Sequence, residues 1–437
     1  MPKFAARLWH CAALVFLLAA CTTAAPTATP TPAPAPTPEP TEGPVELVVW
    51  GGFPVSEYGT YVKEQFEQEH PGVIIRIEDQ GWDEALRQNL FNALLAGIPP
   101  DVVVGENYFQ YFAELGALVP LDDVIAGFRD NLIPATYKAA TYRDHVYGLS
   151  AFTGVFGFER NCAVIEAAGL DCTVAPQTWD ELLEQVRAIT AQGNGQFYGY
   201  TLQGPGGTSV GAVFRIAVYL AQMDAALCSD PDCTYPYFNN PRAAPVMEFI
   251  RELNRYTPPG LTFNTHEGMV YEAMYQGLTA YQIAGSWHPG LAQAAGCDQC
   301  RYSSIPVPAD GHAASLIVGN VVYAVLSQSR YPDLAAEWVA FLARDDVQDL
   351  IYPSLGRLPS TRSALQRLRP TVDEPTQAFI DELLNNPALE ILPQWRRNPQ
   401  VLWSIYNDML TQVLTTERPV REIMDAAQAA ADQAMQS

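Results

Sequence analysis

Val45-Glu46-Leu47-Val48-Val49-Trp50, closed by Gly51-Gly52, reads as a buried strand that ends in a loop, because an apolar run this short suits a covered strand better than a helix. Downstream, Tyr58, Tyr61, Val62 and Phe66 recur at helical spacing until His70-Pro71-Gly72 stops the helix. Val73-Ile74-Ile75-Arg76-Ile77 follows as a second strand. A second helix runs from Asp83 to Ala96 through Leu86, Leu90 and Leu94 and ends at Gly97; Pro99-Pro100-Asp101 then leads into Val102-Val103-Val104-Gly105. This βαβαβ order predicts an α/β fold with a parallel sheet covered by helices.

Toward the N-terminus the pattern changes. Lys3 and Arg7 precede the apolar run Ala12 to Ala20, too short to span a bilayer about 30 Å thick, so residues 1–20 read as a secretory signal peptide. Leu18-Ala19-Ala20-Cys21 resembles the bacterial lipobox, which makes Cys21 the expected lipidation site and the chain an exported, membrane-anchored lipoprotein. Residues 22–44 hold eight of the 35 prolines in a Thr/Ala/Pro alternation with no large apolar side chain to bury. Polyproline II at about 3.1 Å per residue would carry this 21–44 tether up to about 70 Å.

Toward the C-terminus, Thr178-Trp179-Asp180-Glu181 has the capping-box form at the head of a helix. Further helices are expected over Val213–Ala226, Ala243–Tyr256, Met269–Gln276, Leu334–Ala343, Thr376–Asn385, Val401–Thr415 and Val420–Met435. Ile317 to Val325 is a long β-type run.

With 25 Lys and Arg against 48 Asp and Glu, the net charge of -23 repels a phosphate backbone or an anionic lipid surface, so nucleic acid is excluded as a natural partner. At 437 residues and 48% hydrophobic, the chain has ample core for two to three domains. Six cysteines beyond Cys11 and Cys21 fall in sequence-local pairs: Cys162 with Cys172, Cys228 with Cys233, Cys297 with Cys300. Six allow fifteen connectivities, and neighbour pairing as disulfides suits an oxidising compartment. The rival for Cys297-Asp298-Gln299-Cys300 is a redox pair or half of a zinc site. The histidines show no metal-ligand spacing, and HExxH and GxSxG are absent, so neither metal, cofactor nor catalytic group is expected.

Several separated motifs resemble the family-1 extracellular solute-binding proteins of ABC importers, the group that includes sugar binders. They are Phe66-Glu67-Gln68-Glu69-His70-Pro71-Gly72, Leu95-Ala96-Gly97-Ile98-Pro99-Pro100-Asp101, Gly116-Ala117-Leu118-Val119-Pro120-Leu121-Asp122, Val146-Tyr147-Gly148-Leu149, Pro176-Gln177-Thr178-Trp179-Asp180-Glu181-Leu182, Ile283-Ala284-Gly285-Ser286-Trp287 and Gly356-Arg357-Leu358-Pro359. Two departures stand out: Phe158-Glu159-Arg160 replaces the usual Tyr-Asn-Lys, and Ser150 stands where the pattern has proline. The resemblance implies a periplasmic-binding-protein-like fold of two discontinuous α/β lobes, 45–153 with 314–348 and 154–313 with 349–437, hinged around a ligand cleft. It implies a monomeric, non-enzymatic binder that delivers a sugar or small oligosaccharide to an ABC permease. A non-sugar solute such as a glycerophosphodiester or polyamine on the same fold, or a secreted carbohydrate-active enzyme, are the alternatives.

Sugars present apolar C–H faces and hydroxyl rims, so a sugar cleft should mix aromatic rings with polar and charged groups, placed just after strands. Trp50 and Phe53 follow the first strand, Trp82 the second, Glu106 and Asn107 the third. Trp82 equally suits a core and Asn107 a turn. Trp287 matches the family's Gly-x-Trp position, which the resemblance places against a sugar ring. Gln203, Asn320, Arg357 and Trp403 complete the candidates, Arg357 alternatively as an ion-pair partner between lobes and Trp403 as helix-face core. Trp179 and Trp338 are assigned to the core.

Overall fold

The computed structural model describes residues 43–436 apart from 52–54, 82, 107, 206–210, 231–232, 265–266 and 387–388. The expected signal peptide, Cys21 and most of the tether, together with Phe53, Trp82 and Asn107, lie outside the described residues. Pro44–Ser437 forms one compact unit.

The opening motif folds as its pattern predicts. Strand β1 (Val45–Gly51) pairs in parallel with β2 (Val73–Asp79) on one side and β3 (Val102–Gly105) on the other. Helices Val55–Glu69 and Asp83–Ala96 make the crossovers. Leu47, Val49 and all of β3 are buried, as expected for strands covered on both faces. Gly97, at φ 70°, supplies the left-handed residue that ends the second helix.

A small hairpin, β4 (Thr141–Tyr142) and β5 (His145–Val146), precedes the long strand β6 (Gly148–Asn161). Then come β7 (Tyr198–Tyr200), β8 (Thr279–Gly285), β9 (Cys300–Ser303), the second long strand β10 (Ser315–Val325), and the short β11 (Leu358–Pro359) and β12 (Leu389–Glu390). The main sheet runs β2-β1-β3-β10-β6-β8-β7. It is mixed: β3–β10, β10–β6 and β6–β8 are antiparallel, while β7–β8 is parallel. The parallel arrangement inferred from the first strands therefore holds within each end of the sheet and reverses at its centre.

Two long strands cross between separate cores. On β6, Leu149, Ala151 and Phe152 pack with Leu47, Phe66 and Trp338, whereas Phe156 and Phe158 pack with Leu182, Tyr219 and Tyr406. On β10, Val321, Tyr323 and Val325 join the first core, and Leu316 and Val318 the second. A third apolar cluster built on Val155, Ile317, Leu358, Phe379 and Ile380 covers the crossing itself. Between Val318 and Val322 the β6–β10 ladder slips register, so the crossing carries a bulge. Ile351 packs in the first core, and Leu402 through Met435 in the second.

The capping box forms, with Thr178 Oγ1 accepting from Glu181 N–H at 3.1 Å and Glu181 Oε2 accepting from Thr178 N–H at 3.3 Å. Trp338 is fully buried, and Trp179 stacks on Phe249 at 4.0 Å, so both are core residues. Cys162–Cys172, Cys228–Cys233 and Cys297–Cys300 are disulfides with Cα–Cα separations of 5.2, 4.9 and 5.5 Å. Cys297 and Cys300 thus hold no free thiolate for zinc. Among the described residues, no helix is long and apolar enough to cross a membrane.

Candidate functional site

Strand ends from both cores converge at the bulged crossing. Glu106 follows β3 directly, and its Oε1 accepts the backbone N–H of Asn320, in the β10 bulge, at 3.2 Å. Arg357 enters between Gly356, which ends the helix Ile351–Leu355 at φ 62°, and β11, which pairs with Phe152 and Thr153 of β6. Burial pushes the Arg357 guanidinium below its ordinary pKa, and the Glu106 carboxylate opposes that shift. Its guanidinium carbon lies 5.2 Å from the centre of the Trp287 ring, a cation–π contact. Among the described residues no hydrogen bond or ion pair engages the Arg357 side chain.

Trp287 follows β8 and opens the helix His288–Ala294. Its ring rests above two glycines: a Cβ on Gly285 would stand 2.3 Å from Cη2, and one on Gly154 3.2 Å from Cζ3. Phe156 of β6 meets the ring at 6.3 Å, and a recess of about 290 Å³ runs from Trp287 and Gly356 toward Cys297, Asp298 and Asp373, with neither Arg357 nor Glu106 in its lining. Beyond Phe156 lies the buried Arg215, whose guanidinium carbon is 5.5 Å from the Phe156 ring centre and 4.9 Å from that of Tyr271. Arg215 donates to Gln203 Oε1 at 2.5 Å and to the Ile283 carbonyl at 3.2 Å. Contacts therefore run Gln203–Arg215–Phe156–Trp287–Arg357, and Glu106, whose charge reaches Arg357 without a hydrogen bond or ion pair, bonds to Asn320, so five of the residues picked from sequence gather near the crossing.

Others stand apart. Trp50 donates from Nε1 to Glu78 Oε2 at 2.7 Å, its register partner on β2, and packs toward Leu86 and Phe112; no described contact brings it to Glu106. Asn320 is 2% exposed, with its Oδ1 accepting from Ser150 Oγ at 2.6 Å and its Nδ2 donating to the Thr136 carbonyl. Trp403, on the helix Pro399–Thr415, meets Trp395 edge-on at 4.6 Å and Tyr406 at 6.0 Å, at the margin of the second core.

A second contact between the two sides passes through residues that the sequence reading missed. Gln394 Oε1 accepts the backbone N–H of Tyr108 at 2.8 Å, and Tyr108 sits at φ 64°, a strained left-handed conformation for a bulky side chain. Arg396 lies 4.5 Å from the Tyr142 ring centre, and Lys138 pairs with Glu390. The signal available for these was Pro393-Gln394-Trp395-Arg396-Arg397, a polar and aromatic stretch without helical period. Among the described residues no group of three His, Cys, Asp or Glu side chains is placed to hold a metal ion.

A family model for bacterial extracellular solute-binding proteins matches residues 55–349. The chain belongs to that family. As a solute-binding protein it is of a binding, not enzymatic, family whose members work outside the cytoplasm. A Brucella abortus protein named as a binding protein is 31% identical over 159 residues, which span 34% of this chain and only 38% of that relative. Among solved structures, an ABC transporter solute-binding protein of Thermotoga lettingae, bound with alpha-D-tagatose, is 24% identical at a TM-score of 0.73, covering 90% of this chain and 100% of its own. The sugar-binding protein MalE of Xanthomonas citri is 17% identical at a TM-score of 0.78, covering 90% and 98%. At these identities the structures show that this solute-binding protein shares their fold.

Proposed function

We propose that this solute-binding protein captures a sugar or small oligosaccharide and delivers it to the membrane subunits of an ABC importer, acting as a monomer anchored by lipid on Cys21. The lobes are 45–153 with 314–348 and 154–313 with 349–437, and they close on ligand by bending at β6 and β10. One observation carries the reading: a solvent-reachable indole, an arginine with no hydrogen-bond partner among the described residues, and a carboxylate meet where two cores join. An indole face suits the apolar face of a pyranose, while a guanidinium and a carboxylate suit its hydroxyl rim as donor and acceptor. The Glu106 charge offsets that of Arg357, which favours a neutral ligand over a phosphate ester. In this cleft Trp287 stacks on the ligand, Arg357 and Glu106 bind hydroxyls, and the buried Gln203 backs the second lobe's side through Arg215. Alpha-D-tagatose bound to the Thermotoga lettingae protein and the sugar-binding role of the Xanthomonas citri protein agree with this chemistry.

Calorimetry and thermal shift against mono- and oligosaccharides test it. Stabilisation by at least one sugar, as ligand binding to the native state requires, is the expected result. A shift from a phosphate ester or a polyamine with none from any sugar would overturn the assignment.

A further inference from the structure

The buried polar node at the β6–β10 crossing has no counterpart in a plain ladder of paired strands. Ser150 is 3% exposed, Asn320 2% and Thr136 1%, yet all three are hydrogen-bonded together. Ser150 Oγ lies 2.6 Å from both Asn320 Oδ1 and the Phe152 carbonyl, and the Ser150 carbonyl accepts from Ser360 Oγ at 2.5 Å. Gln348 ties in the same strand: its Nε2 donates to the Ala151 carbonyl at 2.7 Å, and its Oε1 accepts from Ser360 N–H at 2.8 Å. Because the ladder slips at Asn320, its backbone N–H is released from strand pairing and points instead to Glu106 Oε1 at 3.2 Å.

We infer that Asn320 is a positioning residue rather than a ligand contact: anchored by Ser150 and Thr136, it presents its bulge N–H to Glu106 and so holds that carboxylate in the cleft. Buried, with its Oδ1 accepting from Ser150 and its Nδ2 donating to the Thr136 carbonyl, Asn320 lacks the exposure to bind a solute. Ser150, which departs from the proline of the family pattern, supplies the hydroxyl that a proline lacks. Glu106 thereby spans two environments, the crossing strands on one side and the field of Arg357 on the other. A binding carboxylate fixed before the ligand arrives loses less freedom on binding. The affinity consequence rests on the sugar reading above; the hydrogen-bonded relay does not.

Two measurements separate the inference from that reading. In ligand-free protein, amide exchange at Asn320 should rise at least about tenfold in Glu106→Ala and in Ser150→Ala relative to Val322, whose strand pairing is unchanged. Unchanged exchange at Asn320 in either folded variant overturns the relay, whether or not any sugar binds. Glu106 is half-buried, so Glu106→Ala carries the exchange arm alone if Ser150→Ala fails to fold. In the second arm, Ser150→Ala should weaken affinity for the sugar found by screening roughly tenfold, the scale of one unmet buried acceptor. The double variant should then bind within about twofold of Glu106→Ala alone, since both act through one chain of bonds. Additive losses, or no loss in Ser150→Ala, refute it. Wild-type protein that binds no sugar sinks the sugar assignment and leaves the exchange result to decide the relay.

Discussion

Replacing Gly285 with alanine tests the binding surface without removing any candidate ligand-binding side chain. A Cβ there would lie 2.3, 2.4 and 2.6 Å from Cη2, Cζ3 and Cζ2 of Trp287. Carbon atoms rest about 3.5–4.0 Å apart, so the ring must withdraw by roughly 1.2 Å or more. The backbone at Gly285 has ordinary strand geometry opposite Phe156, so the alanine itself introduces no left-handed strain. Lower unfolded-state entropy contributes about 0.4–1 kcal/mol in its favour. Loss of the Arg357 contact at 5.2 Å costs about 0.5–2 kcal/mol, depending on its desolvation. These oppose each other, and the thermal midpoint should move by no more than a few degrees. A ligand that stacks on the ring loses that stacking together with the Arg357 pose, about 1.4–3 kcal/mol or ten- to hundredfold in affinity. Isothermal calorimetry with the sugar identified by screening, run beside melting curves, reads both quantities. Trp287→Ala sets the limit. If Gly285→Ala binds as tightly as wild type while Trp287→Ala does not, the glycine floor is irrelevant; if neither weakens binding, Trp287 leaves the site.

Asp381 accepts a two-pronged contact from Arg369, at 2.6 and 2.7 Å, and that hydrogen bonding holds its carboxyl below the ordinary carboxylate range. A depressed folded pKa adds stability above the unfolded value near about 4, and this is lost as pH falls through the folded value. Asp381→Asn should therefore melt below wild type at neutral pH, with the gap closing on acidification; a gap that widens below pH 4 contradicts the sign. For the anchor, Cys21→Ser in an exporting bacterial host should move the protein from the membrane fraction to the soluble exported fraction, and continued pelleting with membranes would exclude Cys21 as the attachment point.

Local signals explain why the first third of the fold was readable. Val45–Trp50, Val73–Ile77 and Val102–Gly105 are short and bounded by glycine or proline, and the helices between them carry clean apolar spacing. The strand β6, at 14 residues the longest, gave no such signal. Nearly every position on it is buried, so inside and outside do not alternate, and Gly148, Gly154 and Gly157 interrupt its apolar run. In one dimension those glycines carry no strand signal. In three they are close approaches: a Cβ on Gly148 would meet Val322 at 2.7 Å, one on Gly154 the Val318 carbonyl at 2.6 Å, and one on Gly157 the Phe379 ring at 2.7 Å. Long-range packing, invisible to local periodicity, selects them.

The candidate site divides by the same logic. Glu106, placed by the rule that cleft groups follow strands, and Trp287, placed by the family resemblance, both stand at strand ends beside the crossing. Trp50 obeys the same rule yet turns to Glu78, because a strand end offers two faces and residue type does not say which one a side chain takes. Asn320 shows the sharper limit. In a regular ladder its N–H would pair with β6, and its side chain would face whichever layer its parity dictated. The register slip between Val318 and Val322 frees the N–H for Glu106 and sinks the amide among Ser150 and Thr136. A bulge is a relation between two strands about 170 residues apart in the chain, so no window on either strand contains it. Its effect is structural: the amide of Asn320, polar and set just past the crossing, is spent inside the fold, and its backbone N–H reaches the Glu106 carboxylate.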